Sequence, residues 1–207
     1  PLLYCKQMHE GFRDHTGKRA CIFNPNGWAG IHRWAGTWAG DTGGGPPALV
    51  CNMILGLGAV SWTTCDMDVT IPEGVHYGFI SPWSQINSFA SFRYPWLMRP
   101  DLYEMLREYA YLRMQMIPYL YSIAFESNRT GVPMLRALPL EFPDDQKTYD
   151  LLHEYMLGPA WLSYCFGDGR MYFPEGRWLD YWTGEVVEGP TETDRSEEHT
   201  SELQSLL

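Results

Sequence analysis

Residues 34–66 read WAGTWAGDTGGGPPALVCNMILGLGAVSWTTCD, and this stretch decides the fold. Its opening, with Arg33, is a short strand candidate that ends near Asp41. Gly43, Gly44 and Gly45 followed by Pro46 and Pro47 form a turn that feeds a helix, with proline in the first-turn position it tolerates. Ala48, Leu49, Met53 and Leu57 roughly keep a helical stripe, which Gly56 and Gly58 are expected to end. Residues 59–65 are β-branched and aromatic, fit for a buried strand that stops at Asp66.

Working outward, residues 20–23 form a further short strand candidate upstream. Downstream, the clearest helix runs from Asp101 to about Asn128. Leu102, Met105, Tyr109, Leu112, Met116, Tyr119, Leu120 and Ile123 hold one stripe, with Glu104, Arg107, Glu108 and Arg113 mostly off it. Pro118 is expected to kink or split this helix, and Gly131 to close it. Strand, helix, strand and long helix in succession imply an α/β layout with parallel strands.

After Gly131 the texture changes. Residues 132–142 are strand-like, Pro143, Asp144 and Asp145 make a turn, and residues 151–157 suggest a short helix. Residues 171–173 and 178–182 read as short strands between glycine and proline turns. A second, β-rich unit is therefore expected from about residue 131.

Composition narrows the partners. The chain has 207 residues and a formal charge of −10, with no basic face to meet a phosphate backbone, so nucleic acid is excluded. The longest apolar run, residues 48–62, is shorter than the roughly 20 residues that a membrane span needs. Cys5, Cys21, Cys51, Cys65 and Cys165 are odd in number and widely spaced, and read as buried free thiols. Nine tryptophans and thirteen tyrosines are compatible with sugar stacking and equally with core packing.

Asp41, flanked by tryptophan and glycine at a strand end, is the strongest candidate for chemistry. Indoles exclude water and raise a carboxyl pKa, which suits a general acid beside a sugar. In parallel-barrel enzymes the reacting groups sit at the C-terminal strand ends, where Asp41 and Asp66 both fall. On the residues alone, Asp41 is equally readable as the N-cap of the following helix.

An ordered series of short motifs supplies more. His32-Arg33-Trp34 leads to Trp38-Ala39-Gly40-Asp41, and then to Asp66. Pro95-Trp96, Tyr111-Leu112-Arg113 and Ile117 to Ser122 (IPYLYS) follow. Gly131-Val132-Pro133, Leu135-Arg136, Phe142 to Asp145 (FPDD), Tyr155 to Gly158 (YMLG), Tyr172 to Gly176 (YFPEG) and Trp178 to Gly184 (WLDYWTG) complete it. In order and spacing this resembles the retaining α-glycosidases of glycoside hydrolase family 31 over roughly residues 4–190. The resemblance implies an α/β fold: residues 1–130 as the C-terminal part of a catalytic (β/α)₈ TIM barrel, and residues 131–194 as the start of a β-sandwich-like domain. It implies Asp41 as general acid/base, Asp66 in contact with the sugar and Trp38 shielding the site. The implied partner is a carbohydrate, and no metal or organic cofactor is implied.

The departures are equally specific. The family's nucleophilic aspartate lies on an earlier barrel strand that no residue here matches, so the chain reads as a piece of a longer protein and is expected to be inactive alone. A sugar-binding arginine of many members falls at Pro25, and a sugar-binding histidine is absent from Arg93-Tyr94-Pro95-Trp96. Residues 66–85 depart from the usual glycine-rich version. These changes imply a divergent specificity, and keep open a non-catalytic, family-31-like carbohydrate-binding or interaction protein.

Other motifs fall away. Asp66-Met67-Asp68 has the D-x-D spacing of metal-dependent sugar transferases but no phosphate-binding loop near it, so Asp68 reads as a turn residue. Gly56-x-Gly58 closes a helix instead of following a strand, unlike a dinucleotide fingerprint. His9 and His15 are too far apart to share a metal, and His32 reads as a structural histidine. Asn128-Arg129-Thr130 is a glycosylation sequon relevant only to a secreted protein. Residues 195–207 have no apolar period, cap or turn chemistry, resemble a translated sequencing adapter, and are set aside as a non-native tail; read as native sequence, they suggest a short solvated helix.

Overall fold

A computed structural model of the chain describes residues 1–86, 94–194 and 201–206. Helix α1 (Leu2–Thr16) leads to β1 (Phe23–Asn24) and, after a 3-10 turn at Ile31–Arg33, to β2 (Gly36–Trp38). Helix α2 (Pro46–Leu57) connects to β3 (Thr63–Thr64), and α3 (Pro72–Phe79) and the long α4 (Pro100–Thr130) follow. β1, β2 and β3 form a parallel sheet in chain order, extended by a parallel bridge between Asp66 and Gln85. This right-ordered β-α-β succession is the expected barrel-type α/β layout, present as an open strip of strands with no closed barrel among the described residues.

The two faces of the strip differ. Thr37 and Thr63, paired across β2 and β3, are buried, and Asn24 reaches the thiol of Cys5 on α1. Side chains alternate along strands, so Phe23, Trp38 and Trp62 belong to the opposite face. Phe23 and Trp62 are exposed there and Trp38 is half-buried.

α2 begins as the prolines dictate, with Pro46 at its first position and Gly45 as N-cap. It ends at Gly58, which has an ordinary negative φ; the left-handed residue is Ala59, with φ 61°. In α4 six residues of the expected stripe, Leu102, Tyr109, Leu112, Met116, Leu120 and Ile123, are buried, together with Leu106, while Met105 and Tyr119 are only half-buried. Pro118 does not split it. The proline lies on the exposed face of the helix, beside exposed Met114. Gly131 closes the helix with φ 80°.

The β-rich unit is one antiparallel sheet. β4 (Leu135–Ala137), β5 (Glu154–Leu157), β6 (Trp161–Cys165), β7 (Arg170–Asp180), β8 (Val186–Asp194) and β9 (Ser201–Leu206) run in the order β4-β5-β6-β9-β7-β8. The short helix expected over residues 151–157 is a strand instead. All four residues of β5 are buried, so no half-exposed period marks them, and pairing with β4 and β6 decides their conformation. The two short strands expected at 171–173 and 178–182 are one strand, β7, bulged between Phe173 and Gly176 and ending at Asp180.

Residues 201–206, set aside on sequence grounds and read otherwise as a helix, are extended between β6 and β7. A slot between two open strand edges is satisfied by backbone N–H and C=O groups, which any extended chain supplies. Residues 195–200 and 207 lie outside the described residues.

The parallel and antiparallel parts share one core. Val75, Tyr77, Leu112 and Met116 pack in a single cluster with Leu135, Tyr155, Leu157 and Cys165. A buried polar chain crosses the same junction: His76 on α3 meets the Tyr109 hydroxyl at 2.8 Å and the Ser163 hydroxyl at 2.7 Å.

Candidate active site

Asp41 and Asp66 both follow the C-terminal ends of parallel strands, Asp41 after β2 and Asp66 after β3. Asp41 is exposed and does not cap α2, whose N-cap is Gly45; of the two readings open on sequence, the helix cap is excluded. The loop it occupies is held down on the Asp66 segment. A Cβ on Gly44 would lie 2.3 Å from the Asp68 amide nitrogen and 2.5 Å from the Asp66 carbonyl, so only glycine permits this approach. Ala39 N donates to Thr64 O at 2.9 Å, which ties the end of β2 to β3.

Asp66 is 3% exposed. Burial pushes its carboxyl above the usual range, and the charge of Asp41 adds to that rise. Gln85 donates from its side-chain amide to Asp66 Oδ1, and Gln85 O accepts from Met67 N at 3.3 Å. Asp68 turns away into its own loop, accepting from Thr70 N at 2.9 Å and the Thr70 hydroxyl at 2.6 Å, as a turn residue does.

Trp38 forms one side of an aromatic wall. The Phe23 ring meets Trp38 edge-to-face at 5.3 Å and Trp83 at 5.5 Å. Pro25 is exposed just beyond β1. Of the Arg93-Tyr94-Pro95-Trp96 run, Arg93 lies outside the described residues, and Tyr94 and Trp96 stack on each other at 5.1 Å. His32 is exposed.

The structure thus brings Asp41, Asp66 and Trp38 to one end of the parallel sheet. Reading the sequence missed Gln85, Phe23 and Trp83 as neighbours of that end. Gln85 lies 19 residues beyond Asp66, and no spacing rule announces a strand bridge of one pair.

A parallel α/β strip presenting two carboxyls at its strand ends beside indole rings fits the layout of barrel-type enzymes, whose reacting groups sit at those ends. The chain belongs to glycosyl hydrolase family 31: the family's TIM-barrel domain profile matches residues 1–123 and its C-terminal domain profile residues 131–205. It is 32% identical over 195 residues to "Alpha-glucosidase 2" of Bacillus thermoamyloliquefaciens, covering 84% of this chain and 24% of that protein. It is 30% identical over 213 residues to an "Alpha-xylosidase" of Saccharolobus solfataricus, covering 91% of this chain and 29% of that one.

Among solved structures, a Flavobacterium johnsoniae GH31 dextranase complexed with isomaltotriose superposes with a TM-score of 0.84 at 24% identity, over 98% of this chain and 29% of the dextranase. A cycloalternan-degrading enzyme from Trueperella pyogenes gives 0.89 at 22% identity, over 100% of this chain and 32% of that enzyme. These likenesses bear out the fold. The chain spans about a quarter to a third of the length of these relatives.

Proposed function

We propose that this chain is the acid/base-bearing part of a retaining α-glycosidase acting on α-linked sugars. The observation that carries the reading is the pairing of Asp41 and Asp66 at the strand ends, where burial and the charge of Asp41 raise the Asp66 carboxyl. Asp41, exposed at the mouth, protonates the leaving glycosidic oxygen and then takes a proton from the attacking water. Asp66, buried and held by Gln85, accepts hydrogen bonds from sugar hydroxyls. Trp38, with Phe23 and Trp83, walls the reacting bond from bulk water.

Retention needs a second carboxyl as nucleophile, roughly 5–5.5 Å from the acid/base. In the family it comes from an earlier barrel strand. No step of the reading calls on a metal.

Pro25, where a hydroxyl-binding arginine is common, favours a divergent sugar preference and sustains a second reading, a sugar-binding protein without catalysis. One experiment separates them. In the full-length polypeptide, Asp41→Asn is expected to slow substrates with poor leaving groups roughly 100-fold or more, and activated aryl glycosides far less. Equal loss on both substrate types rejects the acid/base role; sugar binding with no turnover in the unmutated protein selects the second reading.

A further inference from the structure

Asp66 is a carboxyl withdrawn from water, and among the described residues no cation pairs with it. Asp41 faces it from the loop after β2, Cys65 precedes it, and Asp68 lies two residues on. Among the described residues, the side-chain amide of Gln85 makes the one hydrogen bond to its carboxylate, at Oδ1. The same two residues form the parallel bridge that adds residue 85 to the sheet.

Gln85 is itself held from several sides. Thr64 donates its hydroxyl to Trp83 O, and Ser84 donates to Gly78 O at 2.7 Å. Arg113 reaches from α4 to donate to Phe79 O at 2.8 Å, to Ser81 O, and to Pro82 O at 2.8 Å. Three carbonyls of the turn that delivers Gln85 are thus fixed by one guanidinium.

We propose that Gln85 is a positioning residue of the sugar site, whose amide fixes the Asp66 carboxylate in one rotamer and leaves Oδ2 to accept a pyranose hydroxyl. A neutral donor suits this place. A lysine or arginine would orient Asp66 as well, but would also cancel the charge it presents to the Asp41 loop. An amide stabilises the ionised carboxyl and leaves that charge in place. The assignment rests on the sugar-site reading above, and it names the residue that makes Asp66 a directed acceptor.

The test uses Gln85→Met, which keeps length and loses the donor, and Gln85→Asn, which keeps a donor on a shorter arm. The Asp66 carboxyl is followed by ¹³C NMR titration in the full-length polypeptide, with Asp66→Asn as the assignment control. Gln85→Met is expected to raise the Asp66 midpoint by about half to one pH unit, since a donor to the charged form is gone. In kinetics, KM for a sugar substrate should rise roughly tenfold with kcat changed less than threefold, and the acid limb of kcat/KM should move up with the midpoint. Gln85→Asn should fall between the two and serves as the readout if the methionine variant does not fold.

An unmoved midpoint overturns the assignment. So does a parallel fall of kcat and kcat/KM without movement of the acid limb, the mark of a merely structural role. A polypeptide without hydrolase activity removes the glycosidase reading, while the Asp66 midpoint still decides the role of Gln85.

Discussion

Glu154, on β5, has no exposed surface, yet its Oε2 has no hydrogen-bond partner among the described residues, while Oε1 accepts from Tyr172 N at 2.8 Å. Burial pushes its pKa up to about 8, against the pull of the Tyr172 N–H. His153 Nε2 lies 3.6 Å from Oε1, but burial lowers the histidine pKa, so near neutrality the contact joins an uncharged acid to an uncharged ring. A carboxyl whose folded pKa is raised binds its proton more tightly when folded. The contribution of Glu154 to stability is therefore highest below the unfolded value of 4.5 and falls as pH rises to about 8. Glu154→Gln is expected to abolish that decline and to exceed the wild-type stability at pH 8 by roughly 3 kcal/mol. Denaturant melts at several pH values check this, and parallel stability curves for the two proteins would contradict it. His76 works in the opposite direction: burial lowers its pKa to about 3, so its contribution is lost as pH falls from 6.5 toward that value. Neither role was legible in the sequence, because burial of a single polar residue depends on strands and helices far away in the chain.

Among the elements, α4 was the most legible, because one helix face repeated over about six turns leaves a pattern that no loop imitates. The strands were less so. β5 is buried on both faces, and β8, with its alternation of exposed and half-exposed residues, carries too little apolar character to stand out. Both take their conformation from pairing partners. What α4 does beyond packing depends on Arg113, read from sequence only as a residue off the apolar stripe. Its guanidinium is largely buried, its pKa is lowered to about 10 by that burial, and it stays charged at neutral pH. Arg113→Met would strand the carbonyls of Phe79, Ser81 and Pro82, with an expected loss of about 2–4 kcal/mol in chemical denaturation. Arg113→Lys should recover less than half of this, because a single ammonium cannot span the three acceptors of a planar fork. Full recovery by lysine would mean that charge, not geometry, holds the turn.

For the molecule as a whole, among the described residues the parallel strip has an edge at β1 and an aromatic face bearing Phe23, Trp38 and Trp62. Open edges and apolar faces associate. The chain expressed alone is therefore expected to form soluble oligomers or aggregates in a concentration-dependent manner; a monodisperse monomer with a sharp cooperative melt would contradict this. The tail beyond residue 194 is, in our proposal, non-native sequence; of it, residues 201–206 occupy the slot between β6 and β7. The sequence by itself determined the α/β class, the proline-started α2, the long α4 and the placement of Asp41 and Asp66 at strand ends, since each rests on local periodicity, turn chemistry or motif order. Tertiary structure alone decided that Asp66 is buried against Gln85, that Gly44 seats one acidic loop on the other, that β5 is a strand, and that both sheets share one core. Those outcomes depend on contacts between residues distant along the chain, and no local pattern encodes which distant groups will meet or how much water they will lose.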